Sequence, residues 1–106
     1  MAKYLIAASY TAEGAKGVLQ DGGTKRRQAA EQVVKSAGGK LESFYFAFGA
    51  DDAFVIVDAP DHASVAAMAL AIGASGAVRT RTVVLLTPEE IDQATKKGTT
   101  YRAPGH

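Results

Sequence analysis

The sequence predicts an α+β domain of βαββαβ order, the ferredoxin-like arrangement: a four-stranded antiparallel sheet, two helices on one face and a short C-terminal helix. Three observations predict it. Four short segments rich in β-branched and aromatic residues are spaced by two segments of helical periodicity. The second and third strands are joined only by Gly49, Ala50 and Asp51, a link so short that the two must pair antiparallel. Right-handed crossovers then favour this topology over its mirror image.

The elements follow in order. Residues 3–10 form a β-prone run closed by Thr11. Thr11 is a plausible N-cap with Glu13 in the first turn of a helix, although Gly14 and Gly17 weaken that helix. Gly22-Gly23 break or kink it. A second helical piece over residues 24–37 repeats Ala29, Ala30, Val33, Val34 and Ala37 at helical spacing, and Gly38-Gly39 end it. Residues 40–48 make an aromatic-rich second strand, and residues 53–58 a third. Asp61 caps a helix whose Val65, Met68, Ala69 and Ile72 fall on one face. Residues 78–86 form the fourth strand. Thr87, Pro88 and Glu90 then make a capping box with Pro in the first turn, opening a short helix to about residue 95. With 106 residues and 47% hydrophobic content there is room for one core, expected in residues 1–95, with residues 96–106 as a tail.

Composition excludes several classes. Twelve Lys+Arg against eleven Asp+Glu leave a formal charge of +1, with no basic excess for nucleic acid. The absence of cysteine removes disulfides, thiolate nucleophiles and thiolate metal sites. The apolar start of the chain is too short for a leader or a membrane span, so a cytoplasmic protein without membrane partners is expected. Neither a Walker pattern, a Rossmann fingerprint nor a nucleophile elbow occurs, and two histidines without paired carboxylates make no metal motif. The expectation is therefore no cofactor and no metal.

The distribution of apolar residues points to self-association. Between Asp61 and Arg79 there is no charged residue, so the helix there lacks a charged outer face. Ala53, Val55 and Val57 form one apolar row of the third strand, and Phe54 and Ile56 form part of the other. Val83 and Leu85 oppose Val78, Val84 and Leu86 in the fourth. A sheet apolar on both faces in so short a chain predicts two sheets packed face to face, a homo-oligomer of the dimeric α+β barrel kind.

Six residues are candidates for ligand binding: Tyr10, Tyr45, Phe46, Asp52, Arg79 and Arg81. Phe44, Phe46 and Phe48 share one side of the second strand. If Phe48 pairs with Asp52, Phe54 joins them as an aromatic wall; if it pairs with Ala53, Phe54 moves to the other face. Core packing is the simpler role for these rings. Arg79 and Arg81 point the same way, and either recognise an anion or guard an edge strand. Lys25-Arg26-Arg27 at a helix start opposes the macrodipole and reads as a solvated charge run or an intersubunit contact. A cofactor-free enzyme could be built on Tyr10, Tyr45, Asp52 or His62, although nothing in their spacing demands it.

Three stretches, YLIAASYTAE from Tyr4, GGKLESFYFAFGADDAFVIVDAP from Gly38 and SGAVRTRTVVLLTP from Ser75, resemble the GYD domain family of small bacterial proteins. The closing Tyr101-Arg102-Ala103-Pro104-Gly105 is similar to that family's tail. The family's naming motif is Gly, any residue, then Tyr-Asp; Gly49 and Asp52 match it, and Asp51 stands where Tyr is expected. The resemblance implies a ferredoxin-like, oligomeric protein and supplies no catalytic residues. The functional expectation is a homo-oligomeric small-molecule-binding or assembly protein. The alternatives are a cofactor-independent monooxygenase or isomerase using a barrel cavity, and a ligand-sensing module.

Overall fold

A computed structural model describes residues 1–106. The chain runs β1 (Ala2–Tyr10), α1 (Ala12–Ser36), β2 (Lys40–Phe46), β3 (Ala53–Ala59), α2 (His62–Ala74), β4 (Val78–Leu85) and α3 (Pro88–Thr95). The four strands make one antiparallel sheet of order β2-β3-β1-β4. The fold is α+β, and β4 lies at an edge.

Strand alternation sorts the sheet into two faces. Tyr4, Ile6 and Ala8 pair with Val57, Val55 and Ala53, and all six are buried. They pack with Val34 of α1 and with Val65 and Met68 of α2, so both helices cover this same face. α1 lies mainly over β2 and α2 mainly over β4. The opposite face carries Leu5, Phe54, Ile56 and Leu85, half-buried, with Val83 exposed and Ala7 buried between its neighbours; neither α1 nor α2 packs on it.

Caps set the helix starts where the sequence places them. Thr11 accepts from Gly14 N–H and donates to the Gly76 carbonyl (2.9 Å), so one side chain both opens α1 and ties it to the α2–β4 loop. Asp61 accepts from the Ser64 backbone and hydroxyl, both at 2.8 Å. The backbone bond first, and the hydroxyl bond second, hold the Asp61 carboxyl below its ordinary 3.8. Thr87 and Glu90 form the reciprocal capping box of α3. Gly22, at φ 80° and ψ 173°, is non-helical, so α1 is two helical pieces joined at a kink, where the sequence places the break.

The hairpin register differs from both alternatives raised by the sequence. Phe46 pairs with Ala53, Phe44 with Val55 and Tyr45 with Phe54. Strand β2 ends at Phe46, two residues earlier than expected, and Phe48 lies outside it in solvent. A register shift between Leu41 and Ser43 leaves Glu42 as the extra residue of a bulge. Its carboxylate reaches the Lys3 ammonium at 2.8 Å, and Asp58 meets the same ammonium at 3.0 Å. The bond from Glu42, then that from Asp58, raises Lys3 above its ordinary 10.5.

The C-terminal segment departs from this body. α3 buries no residue, and Leu86, Ile91 and Tyr101 are exposed. The radius of gyration is 16.8 Å, against about 13 Å for a compact chain of this length. A projecting segment accounts for the 56 Å long dimension.

Two predictions follow from local geometry. A Cβ on Gly14 would collide with the Ala77 carbonyl, whereas one on Gly17 would meet nothing. Gly14→Ala should lower stability in urea unfolding by about 1–3 kcal/mol through overpacking. Gly17→Ala should raise it by about 0.5–1 kcal/mol through helix propensity. The Asp61 cap contributes above that group's ordinary range and is lost as pH falls through its lowered folded value. Asp61→Asn, whose cap does not titrate, should therefore flatten the stability profile below about pH 4; an unchanged acid limb would contradict this.

Candidate functional site

The helices leave a cleft over the middle of the sheet. α1 and α2 stand on β2 and β4, and between them the inner walls are built from small residues: Ala29 and Ala30 on α1, Ala8 and Ala53 on the strands, and Ala77 after α2. Short side chains cannot close the distance between two helices resting on one sheet. The result is a cavity of about 340 Å³. Ile6, Val55, Met68 and Val34 form its floor and inner end, and Phe44, Ile72 and Val78 its sides. Of 17 lining residues 14 are hydrophobic; the others are Arg26, Ser75 and Thr80.

Arg26 is the unusual member. It belongs to the basic run at residues 25–27, which the sequence reading assigned to solvent or to another subunit. On the second half of α1 the three residues diverge. Arg27 pairs with Glu31 at 3.4 Å, Lys25 is exposed, and Arg26 is half-buried on the cavity wall. Its Nε–H is fully covered and has no hydrogen-bond partner, and no carboxylate pairs with its guanidinium. A covered, unpartnered guanidinium donor is costly, so its position calls for an acceptor. The signal available in the sequence was the alignment of Arg26 with Ala29, Ala30 and Val33 on one helical face. Charge alone hid it.

The predicted candidates divide between two places. Tyr10 lines the cavity and Phe46 borders it, its ring packed edge-to-face on Phe44 with centroids 5.1 Å apart. Phe46 also lies against Gly23, where any Cβ would meet its ring. Asp52 sits at the end of the hairpin and serves the backbone: its carboxylate accepts from Tyr10 N–H at 2.8 Å, and its own N–H donates to the Ala8 carbonyl at 2.8 Å. Tyr45 (72% exposed), Arg79 and Arg81 lie on the uncovered sheet face, away from the cavity. Arg81 pairs with Asp51 at 3.1 Å across the end of the sheet. His62 is at the start of α2, where its Nδ1 and the buried Tyr4 hydroxyl are 2.6 Å apart. No group of three or more His, Asp or Glu side chains comes together anywhere.

A family model for the GYD domain matches residues 4–95. The chain belongs to the GYD domain family. No curated protein and no solved structure matches it. The match covers every strand and helix except the first residues of β1, and it stops before the tail. The structure also shows what the motif positions do in this GYD domain. Asp52 clamps the hairpin tip to the end of β1, and Asp51 holds Arg81. Both contacts are structural. No helix is long and apolar enough to cross a membrane.

The clamp can be tested directly. Asp52→Ala leaves the Tyr10 N–H without its acceptor and should destabilise the fold by about 1–3 kcal/mol in denaturant unfolding. Asp52→Asn keeps an acceptor oxygen and should recover most of that loss. Equal losses for the two variants would show that charge, not the hydrogen bond, matters.

Proposed function

We propose that this GYD domain is a homo-oligomer, on a ferredoxin-like fold, that binds a small apolar molecule between its helices and its sheet. The observation that carries the binding reading is the 340 Å³ cavity, within the usual size of ligand sites and walled almost entirely by hydrophobic side chains. A cleft of this size, open on one side, apolar-walled and bordered by the covered, unpartnered Nε–H of Arg26, favours an occupant.

Assembly is supported by the other side of the sheet. Leu5, Phe54, Ile56, Val83 and Leu85 form a contiguous apolar patch on which neither α1 nor α2 packs, flanked by Arg79, Arg81, Asp58 and Lys3. Apolar patches with charged rims are a feature of interfaces. A second copy packed face to face would bury this patch and give α3 a surface to rest on. The alternative, cofactor-independent catalysis, needs an acid or base at the ligand. Asp52 is committed to Tyr10 N–H and His62 to Tyr4, outside the cavity, which leaves Tyr10 as the one catalytic candidate on its wall and favours binding over chemistry.

Each half has its own test. Native mass spectrometry at micromolar concentration should show multiples of the 11.0 kDa chain, and Val83→Glu on the open face should yield monomers. A strictly monomeric wild-type chain would overturn the assembly. For binding, small apolar compounds should raise the thermal midpoint of the full chain, and Ala30→Leu, which fills the cavity, should abolish the rise. A midpoint that no compound moves would overturn the binding reading.

A further inference from the structure

We propose that the ligand of this cavity is an apolar monoanion, a compact hydrocarbon or aryl body ending in a carboxylate, with Arg26 as its anion partner. This rests on the binding reading above and adds the chemical class. Three observations lead to it. The cavity offers one full charge, that of Arg26, and no opposing carboxylate lies on its wall. The Arg26 Nε–H is covered and unpartnered, while its neighbour Arg27 has an acceptor in Glu31. The remaining polar side chains of the wall are uncharged, and the Ser75 hydroxyl is already committed to the Ile72 carbonyl at 2.6 Å.

The chemistry selects the ligand. A cationic ligand would meet the guanidinium without a counter-charge. A neutral apolar ligand would fill the void but leave the Nε–H bare, retaining its desolvation cost. A carboxylate supplies an acceptor to a planar donor suited to it, and a charge-assisted bond in a largely apolar setting is among the stronger polar contacts. A highly polar body, such as a sugar, would face Ile6, Val55 and Met68 without hydrogen bonds. The volume suits about ten to fifteen non-hydrogen atoms at ordinary packing. Arg26 lies one turn beyond Gly23, which rests on the Phe46 ring, so the carboxylate end is placed toward α1 and the apolar end toward Met68 and Val55.

The test uses the full chain with three probes of one size: octanoate, octanol and octylamine. Isothermal titration should show octanoate binding at least about tenfold more tightly than octanol, with octylamine weakest. Arg26→Gln, checked by circular dichroism, should bring octanoate down to the level of octanol and leave octanol unchanged. A measurement without any variant is the Arg26 Nε–H resonance of the wild-type chain, which should move downfield with octanoate and stay in place with octanol. Equal affinity for octanoate and octanol, or an octanoate preference that survives Arg26→Gln, would overturn the anion assignment while the cavity remains a binding site. Failure of all three probes to bind would overturn the assignment together with the binding reading.

Discussion

The central strands β1 and β3 are apolar on both faces, and the rest of the molecule is organised by that constraint. Tyr4, Ile6, Val55 and Val57 face the helices, while Leu5, Phe54 and Ile56 face away. α1 and α2 cover one face, and α3, which buries no residue, leaves the other without a helix. The covered face is itself only partly filled. α1 and α2 seat on the outer strands, and the alanines between them cannot reach across, which opens the cavity. One constraint thus produces both candidate surfaces, on opposite sides of a single layer of backbone.

Charges sit where they do not compete with that arrangement. Lys3 with Glu42 and Asp58 closes one end of the open face, and Arg81 with Asp51 closes the other. Each pair keeps one partly or largely exposed partner, and pairs near the surface contribute little stability. Their value is in register. A one-residue slip of the β2–β3 hairpin would move Phe44 and Phe46 to the open face and separate Glu42 from Lys3. The bulge at Glu42 shows the same economy, because the extra residue that disturbs the ladder is the one whose carboxylate reaches across to β1.

Much of the fold was legible because it is encoded locally. Thr11, Asp61 and Thr87 are caps by side-chain chemistry alone, and each sits at the first turn it was expected to open. Alternation in FVIV assigned β3 its two faces, which the pairing with β1 bears out. The hairpin register was not legible. It depends on a bulge eleven residues before β3 and on a loop that begins at Ala47, and neither has a turn signature that overrides the run of aromatics. The site was legible only in part. Tyr10 and Phe46 lie in or beside the cavity, whereas Arg79, Arg81 and Tyr45 do not, because alternation says which residues of one strand share a face but not which face the helices cover. Arg26 was hidden for a different reason. Within a basic run, which residue turns inward depends on helical phase after the kink at Gly22.

The carboxylates around the sheet and His62 are tied to partners outside the cavity. Catalysis by proton transfer requires a group that is near the substrate and uncommitted in the resting fold. Asp52 satisfies the end of β1, Asp51 holds Arg81, Asp58 and Glu42 share Lys3, and His62 meets the Tyr4 hydroxyl. Each is occupied by a structural task, and none of them lines the cavity. The polar group that does line it with a covered and unsatisfied atom is a guanidinium, which offers N–H donors and no acceptor. Such a group can hold an anion but cannot accept a proton from it. With Tyr10 on the same wall, the guanidinium gives the cavity a place to hold an anion beside apolar side chains, which is the recognition proposed above.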